Sequence, residues 1–217
     1  MNKQIPWQAK AALCEIFALG LRYPDATLVD ALASGEYSQA LCEIAQANNL
    51  DVTRTPAALA PYTGAQPQDT LHALRVEHTR LFIGTPQPLI SPYEGVWAAN
   101  DDGVQPLLFV NPRTMEVERT YRAFGMGSPK NTNEPLDHIA TELEFLEYLA
   151  AVEAGIATPN PAAIPPEDGY AQAYESFKTN HAQAWMPRFA DEVTQQSQEP
   201  FFTALAPLLA AFAREEA

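Results

Sequence analysis

Apolar residues recur every three or four positions along much of the chain, a spacing typical of amphipathic helices. The first such face, near the N-terminus, consists of Trp7, Ala11, Cys14, Phe17 and Leu21. This pattern predicts a helix that begins at Pro6 and ends where Tyr23 and Pro24 stop it.

A second long helix is predicted from Glu134 to Ala154. Pro135 suits the first turn of a helix, and Gly155 follows the predicted end. Apolar residues occupy two faces of this segment: Leu136, Ile139, Leu143, Leu146 and Ala150 on one, and Phe145, Leu149 and Val152 on the other. Because each apolar face needs a packing partner, we predict that this helix is central to the fold.

Shorter helical patterns fill most of the remaining chain. Four of them lie at 27–33, 37–47, 69–83 and 114–124. A further helical segment begins at Tyr170 and is interrupted or restarted at Pro187. The last segment begins at Pro200, and we predict a bend at Pro207. Asp69 and Thr114 are predicted N-terminal caps of two of them. The sequence therefore predicts an all-α fold, a single-domain bundle of about eight or nine helices over residues 1–217.

Proline-containing stretches separate these helices. The stretch 55–68 reads as a loop, and the prolines between Gly84 and Pro112 exclude a long helix or a central strand, leaving at most a short extended piece at 107–110. We predict a long irregular binding loop there. A second proline-rich stretch, at 156–168, is a possible hinge, so both a monomer and a domain-swapped dimer are compatible with the sequence.

Acidic residues dominate the charge. Among 217 residues, 27 are Asp or Glu and 13 are Lys or Arg, which gives a net charge of −14. Such a charge repels nucleic acids and anionic membranes and attracts basic ligands, although acidity also serves solubility alone. Since no run of about 20 apolar residues occurs and Glu15 interrupts the most apolar N-terminal run, we predict a cytosolic protein without stable membrane insertion or its own export signal.

Motifs for catalysis or cofactor binding are missing from the sequence. There is no phosphate-binding glycine loop, no G-x-S-x-G and no paired-histidine zinc motif, and Cys14 and Cys42 lack metal-ligand spacing. We predict reduced core thiols, no metal, no cofactor and no enzymatic activity. His138 and Glu142, four residues apart, could form a hydrogen bond that satisfies polar groups at a helix start, or could present acidity to a basic peptide.

The segment Ser91–Trp97 combines aromatic residues, a carboxylate and a glycine within the proline-rich loop. These residue types grip a peptide by packing and orient it by charge. The same aromatics could instead form a small satellite core beneath the loop.

Three stretches together resemble the TorD/DmsD family of redox-enzyme maturation chaperones, to which the NarJ group is more distantly related. The first is R-V-E-H-T-R-L-F-I-G (75–84) followed by P-L-I-S-P-Y-E-G-V-W (88–97). The second is N-E-P-L-D-H-I-A-T-E-L-E-F-L-E-Y-L (133–149), and the third is H-A-Q-A-W-M-P-R-F-A (181–190) with E-P-F-F-T-A-L-A (199–206). Relatives closer to DmsD often have Trp-Gly at Tyr93-Glu94 and an aromatic residue at His78, which leaves the client open.

The resemblance implies an all-helical chaperone that binds the twin-arginine leader and the immature catalytic subunit of a molybdopterin oxidoreductase, and assists cofactor insertion and proofreading before export. Family positions linked to leader binding fall on Leu81, Phe82, Tyr93, Glu94, Trp97, Asp137 and His138, and we add Glu142 from its spacing to His138. The expected mechanism packs loop aromatics on the apolar part of the leader while Glu94, Asp137 and nearby carboxylates receive its arginines.

Two other functions remain compatible with the sequence. The chaperone could act mainly on the folded body of a leaderless or non-exported molybdoenzyme subunit. Alternatively, His138 and Glu142 could serve a hydrolase or lyase, although no nucleophile or oxyanion donor accompanies them.

Overall fold

A computed structural model describes residues 5–105, 111–127, 135–164 and 169–215. Within these ranges the chain forms eleven α-helices and no strand, so the predicted all-α bundle is confirmed. The helices are α1 (Trp7–Leu21), α2 (Ala26–Ser34), α3 (Glu36–Ala47), α4 (Thr55–Leu59), α5 (Pro67–His78), α6 (Glu94–Asp101), α7 (Pro112–Ala123), α8 (Ile139–Glu153), α9 (Gly169–Phe177), α10 (Gln183–Gln196) and α11 (Pro200–Arg214). No helix in the described ranges has the length and apolar character needed to cross a membrane.

Helices α1 and α8 form the most extensive helix pair of the described structure and lie at its centre. Helix α8 buries both predicted apolar faces, including Leu143, Phe145 and Leu149. It begins at Ile139, later than predicted, because residues 135–138 form a turn in which Asp137 binds other parts of the fold. Glu134 lies outside the described residues.

The second layer is helix α11, which packs on α1 and α10. Gly20 permits this approach, since a Cβ there would lie 2.6 Å from both Leu205 Cδ2 and the Tyr37 hydroxyl oxygen. The Tyr37 hydroxyl donates to the Ile16 carbonyl, which ties α3 to α1. Helices α10 and α11 continue through Pro187 and Pro207.

Two segments predicted as loops contain short helices. Helix α4 and a 3-10 turn at Ala60–Tyr62 occupy part of 55–68. Helix α6 occupies part of the proline-rich stretch after Pro92, where no further proline occurs until position 106. Among the described residues of this stretch, 84–93 and 102–105 are irregular, and the extended piece predicted at 107–110 lies outside the described residues.

Neither predicted cap is correct. Helix α5 begins at Pro67 after Gln66 without a side-chain cap, so Asp69 lies inside its first turn. Helix α7 is capped by Asn111, whose side-chain oxygen accepts from the Arg113 amide, while Thr114 donates its hydroxyl proton to Asp137. Short polar side chains cap helices, but tertiary contacts decide which one takes the position.

Two further sequence predictions concern the cysteines and the hinge. Cys14 is buried near the Tyr174 hydroxyl, and burial raises the pKa of its thiol to about 12, whereas Cys42 is only partly buried. Residues 165–168 of the proposed hinge lie outside the described part, and the Asn160 side chain ties the preceding stretch to Gly125. The hinge and the domain-swapped dimer stay predictions.

Candidate functional site

A cavity of about 500 Å³ opens where the end of α1 meets the start of α8. Three predicted site residues, Phe82, Tyr93 and His138, converge on it. The other residues that line it are Leu19, Arg22, Tyr23, Asp25, His78, Ile83, Pro92, Ala140 and Thr141. We call this space the histidine cavity, after His78 and His138.

A short antiparallel pairing holds one wall of the histidine cavity. The Glu94 amide donates to the Asp137 carbonyl at 3.0 Å, and the Ile139 amide donates to the Pro92 carbonyl at 2.9 Å. These bonds place the Tyr93 ring edge-on to the His138 ring, with centroids 5.3 Å apart. The loop and the helix start, predicted as one surface, are therefore adjacent.

The opposite wall comes from a π-helical turn, Thr79–Ile83, that continues α5. Phe82 stacks on Phe189 at 5.5 Å and meets His78 edge-on at 4.9 Å. Ile83 is half exposed, whereas Leu81 is fully buried in the core and does not line the cavity. Leu81 therefore packs beneath the site.

The predicted carboxylates do not line the histidine cavity. Glu94, Asp137 and Glu142 are 1%, 1% and 0% exposed and lie beneath its Tyr93–His138 wall. We call these three residues the buried carboxylate cluster. None of them is open to an arginine from outside the protein in this conformation. Direct pairing with the arginines of a leader therefore stays a prediction, and it would require these side chains to become accessible.

Each member of the buried carboxylate cluster has partners inside the protein. Asp137 Oδ2 accepts from the Gly95 amide and the Thr114 hydroxyl, both at 2.8 Å. Glu94 Oε2 lies 2.9 Å from Nδ1 of the buried His181. The cluster thus joins the starts of α6 and α7 to the turn before α8 and, through His181, to the turn before α10.

Gly95 is required for this arrangement. A Cβ at this position would lie 2.6 Å from the Thr114 hydroxyl oxygen and 2.9 Å from Asp137 Oδ2. The Asn111 side-chain amide also donates to the Gly95 carbonyl at 2.7 Å. The glycine of the Tyr93-Glu94-Gly95 segment therefore serves packing beneath the cavity.

His138 and Glu142 do not form the predicted side-chain pair. His138 caps α8, and its Nδ1 accepts from the Ala140 amide at 3.2 Å. Glu142 instead accepts from the indole Nε1 of Trp185 at 3.1 Å. The two groups bond to different partners, so this structure contains no acid/base dyad at that position.

The pKa of Glu142 is raised well above its ordinary value, first by burial and then by the charges of Glu94 and Asp137. A carboxyl with a raised folded-state pKa binds protons more tightly when folded, so stability falls as pH rises above the unfolded-state value. Replacing Glu142 with Gln keeps an acceptor for Trp185 and removes this titration. We expect E142Q to increase the unfolding free energy by about 1 kcal/mol or more at pH 8.

Urea denaturation followed by circular dichroism at pH 8 and pH 5 measures this effect. The gain of E142Q over the wild type should shrink at pH 5, where the unfolded carboxyl is closer to neutral. A variant that is destabilised equally at both pH values would contradict a protonated Glu142.

Trp97 lies on the far side of α6 from the histidine cavity. Its indole Nε1 donates to the Ser91 carbonyl at 2.9 Å, and its ring lies 6.4 Å from that of Trp185. Arg188 sits over the indole and forms a two-pronged ion pair with Asp101 at 2.7 Å. Trp97 thus joins α6 to α10, as the satellite-core interpretation expected, while Tyr93 lines the cavity.

A second cavity, of about 490 Å³, adjoins the first along the α1–α8 seam and shares Leu19 and Arg22 with it. Its wall contains three carboxylates, Glu15, Glu144 and Glu147; we call it the acidic cavity. Arg22 forms an ion pair with Glu144 there. Burial and the charges of Glu15 and Glu144 raise the pKa of Glu147.

Sequence reasoning missed several residues of these cavities. The sequence indicates His78 only as part of the predicted helix 69–83 and of the family-like stretch 75–84, and Tyr23 only as a helix stop. Glu144 and Glu147 follow the exposed edge of α8, where acidic residues usually have no role beyond solvation. The sequence signal available for Tyr23 was an aromatic residue at a helix end, and the structure shows that it is half exposed.

A sequence model of the family described as nitrate reductase delta subunit matches residues 43–191. The chain belongs to this family. The resemblance to the TorD, DmsD and NarJ chaperones is therefore confirmed.

Comparisons with individual proteins agree with this family membership. The chain is 30% identical to a chaperone protein TorD of Vibrio cholerae over 69% of its own length and 63% of that protein. It is 28% identical to a perchlorate reductase assembly chaperone protein of Dechloromonas aromatica, over 94% of this chain and 86% of the other. A crystal structure of a proposed redox enzyme maturation protein from Archaeoglobus fulgidus shares the fold, with a TM-score of 0.53 at 19% identity over 94% of each chain.

Proposed function

We propose that this protein is a cytoplasmic chaperone, not an enzyme, that binds the immature catalytic subunit of a molybdopterin oxidoreductase together with its twin-arginine leader. Binding would protect the subunit until its cofactor is inserted and would withhold the leader from export until then. The family membership and the two relatives that are named as chaperones support this proposal.

The histidine cavity carries the proposal. A cavity of about 500 Å³ with aromatic walls is suited to hold several side chains of a peptide. Phe82 and Tyr93, which the resemblance associates with leader binding, are both part of its lining. An apolar stretch of the leader would therefore pack in this cavity.

The acidic cavity is suited to the arginine pair of the leader. It places Glu15, Glu144 and Glu147 next to the histidine cavity, and its Glu144 already pairs with one guanidinium, that of Arg22. A further guanidinium would relieve the repulsion among these carboxylates, because each arginine offers two-pronged pairing. The surface carboxylates thus take over the role that the sequence had assigned to Glu94 and Asp137.

A synthetic leader tests this function. The probe is a peptide in which an Arg-Arg pair precedes ten alternating leucine and alanine residues, with a fluorescent label. We expect a Kd in the micromolar range or below, and at least tenfold weaker binding when both arginines are alanine, measured by fluorescence anisotropy in about 0.1 M salt.

The double variant E15Q/E147Q supplies the matched control on the protein side. It should bind the two peptides with more nearly equal affinity and should lose much of the salt dependence of the wild type. Equal affinity of the wild type for both peptides would contradict arginine recognition, and no binding of either would contradict the proposed function.

A second candidate function keeps the fold and the family but moves the main contact to the folded body of the client. The relatives' names refer to enzymes and assembly, and neither name mentions a leader. Co-purification of this protein with a client subunit that lacks its leader separates the two cases. Retention of a leaderless subunit, together with weak peptide binding, would favour the second function.

A further inference from the structure

The histidine cavity contains two imidazoles, and both are neutral at physiological pH. Burial lowers the pKa of His78 and of His138 to about 4, and the positive charge of Arg22 contributes at His138. The two rings also influence each other, because a charge on His138 lowers the pKa of His78. A neutral imidazole has one nitrogen that donates and one that accepts.

Hydrogen bonding assigns these roles at His138. Its Nδ1 accepts from the Ala140 amide at the start of α8, so the proton of the neutral ring is on Nε2. This nitrogen is the remaining polar atom of a partly exposed side chain that lines the cavity. His138 therefore offers the cavity a donor.

His78 has the opposite arrangement. Its Nε2 lies 3.4 Å from the Leu21 carbonyl, which can only accept, so Nε2 holds the proton and Nδ1 is bare. The side chain is 96% buried, at 4% exposure, and Nδ1 has no partner among the described residues. A buried polar atom without a partner costs free energy, which a ligand that donates to it would recover.

The donor at His138 and the acceptor at His78 together favour a neutral ligand that can both accept and donate a hydrogen bond. A cation would meet the His138 donor and the positive charge of Arg22, while Asp25, a carboxylate of the lining, already accepts from the Leu28 amide as the cap of α2. A carboxylate could not donate to His78. A peptide bond offers one carbonyl and one N–H, which match a neutral donor and a neutral acceptor. The apolar parts of the wall, Leu19 and Phe82 among them, favour uncharged side chains on that peptide.

We propose that the histidine cavity binds the main chain of the uncharged, apolar stretch of a client leader, with His138 Nε2 donating to a peptide carbonyl and His78 Nδ1 accepting from a peptide N–H. The proposal rests on the leader-binding function proposed above and places the arginine pair outside this cavity. Tyr23 packs edge-on to His78 at 5.3 Å and is half exposed. Because His78 Nδ1 is buried, the proposed complex requires a neighbouring ring to move, and the half-exposed Tyr23 ring is freer to do so than the buried rings of Phe82 and Phe202.

Two substitutions remove the nitrogen that the proposal assigns to the peptide and keep the structural hydrogen bond. In H138N, the amide oxygen replaces Nδ1 as the cap of α8, and the Nε2 donor is lost. In H78Q, the amide NH₂ replaces Nε2 opposite the Leu21 carbonyl, and the Nδ1 acceptor is lost. We expect each to weaken binding of the labelled Arg-Arg peptide about three- to tenfold. H72Q, the same kind of change at an exposed histidine of α5 that does not line the cavity, should leave binding unchanged.

Changes to the peptide main chain can show whether His78 forms a hydrogen bond with the peptide or only packs within the protein. Replacing single amides of the apolar stretch by esters removes one N–H at a time. At one position the wild type should lose about three- to tenfold in affinity, and H78Q should lose nothing further there. A purely structural role of His78 would leave both proteins with the same ester profile.

Circular dichroism and thermal unfolding confirm the fold of each variant, and H78F, which keeps a ring among the aromatic neighbours, replaces H78Q if that variant does not fold. Wild-type binding with unchanged affinity in H138N and H78Q, or identical ester profiles, would overturn this inference and leave the proposed function standing. Absence of wild-type binding to the Arg-Arg peptide would overturn both.

Discussion

Replacing Glu94 with alanine is expected to lower the unfolding free energy by about 3–5 kcal/mol, the combined cost of a buried polar group left without its partner and of the cavity that the missing side chain leaves. The Glu94 carboxylate lies 2.9 Å and 3.2 Å from His181 Nδ1, and both side chains are almost completely buried. Without the carboxylate, His181 would keep a buried ring nitrogen with no partner, and a cavity would open beneath Tyr93.

Chemical denaturation followed by tryptophan fluorescence measures this loss. E94Q is the matched control, because Gln has nearly the same volume and retains an acceptor for His181, so it should cost clearly less than alanine. We expect E94A to weaken leader binding only in proportion to the unfolded fraction. If E94A were as stable as the wild type and yet bound the Arg-Arg peptide poorly, Glu94 would contact the peptide directly.

Acidification from pH 6.5 towards pH 4 is expected to destabilise the protein through His78 and His138. Both have a folded-state pKa of about 4 against an ordinary value of 6.5, so the unfolded chain binds more protons throughout this interval. Stability therefore rises with pH there, by about 1.4 kcal/mol per pH unit for each histidine at the lower end and by about half of that at pH 6.5, where the unfolded-state imidazole is only half protonated. Between pH 6.5 and pH 5 the expected loss is about 1.6 kcal/mol per histidine.

The buried carboxylates have the opposite effect on the pH dependence of the unfolding free energy. The pKa values of Asp137 and Glu142 are raised by burial, so these groups favour the folded state as the pH falls. The comparison of the wild type with the double variant H78Q/H138N isolates the histidines, because the carboxylates are common to both. The difference in unfolding free energy should change by about 3 kcal/mol between pH 6.5 and pH 5. A constant difference would show that the two imidazoles do not titrate below the ordinary range.

The sequence could indicate which residues form the candidate site, but it could not show which of their side chains are accessible to a ligand. The family resemblance associates Phe82, Tyr93 and His138 with leader binding, and the structure brings these three residues together in one cavity, while their role in binding stays a proposal. The roles of Glu94, Asp137 and Glu142 depend on which way each side chain points. A carboxylate in a proline-rich loop looks accessible in the sequence, and only the packing of α6 on α7 and α10 shows that it is buried.

The sequence by itself determined the helical architecture. The long helices α1 and α8 follow from apolar residues at three- and four-residue spacing, and the two apolar faces of α8 determined its central place, because this information is local to each helix. Only the tertiary structure decided where α8 begins and what its first residues do. Asp137 binds Gly95 and Thr114, partners 42 and 23 residues away along the chain. Contacts between such distant residues leave no periodic pattern in the sequence. Which polar groups meet around the cavity is therefore decided only by the packing of the helices.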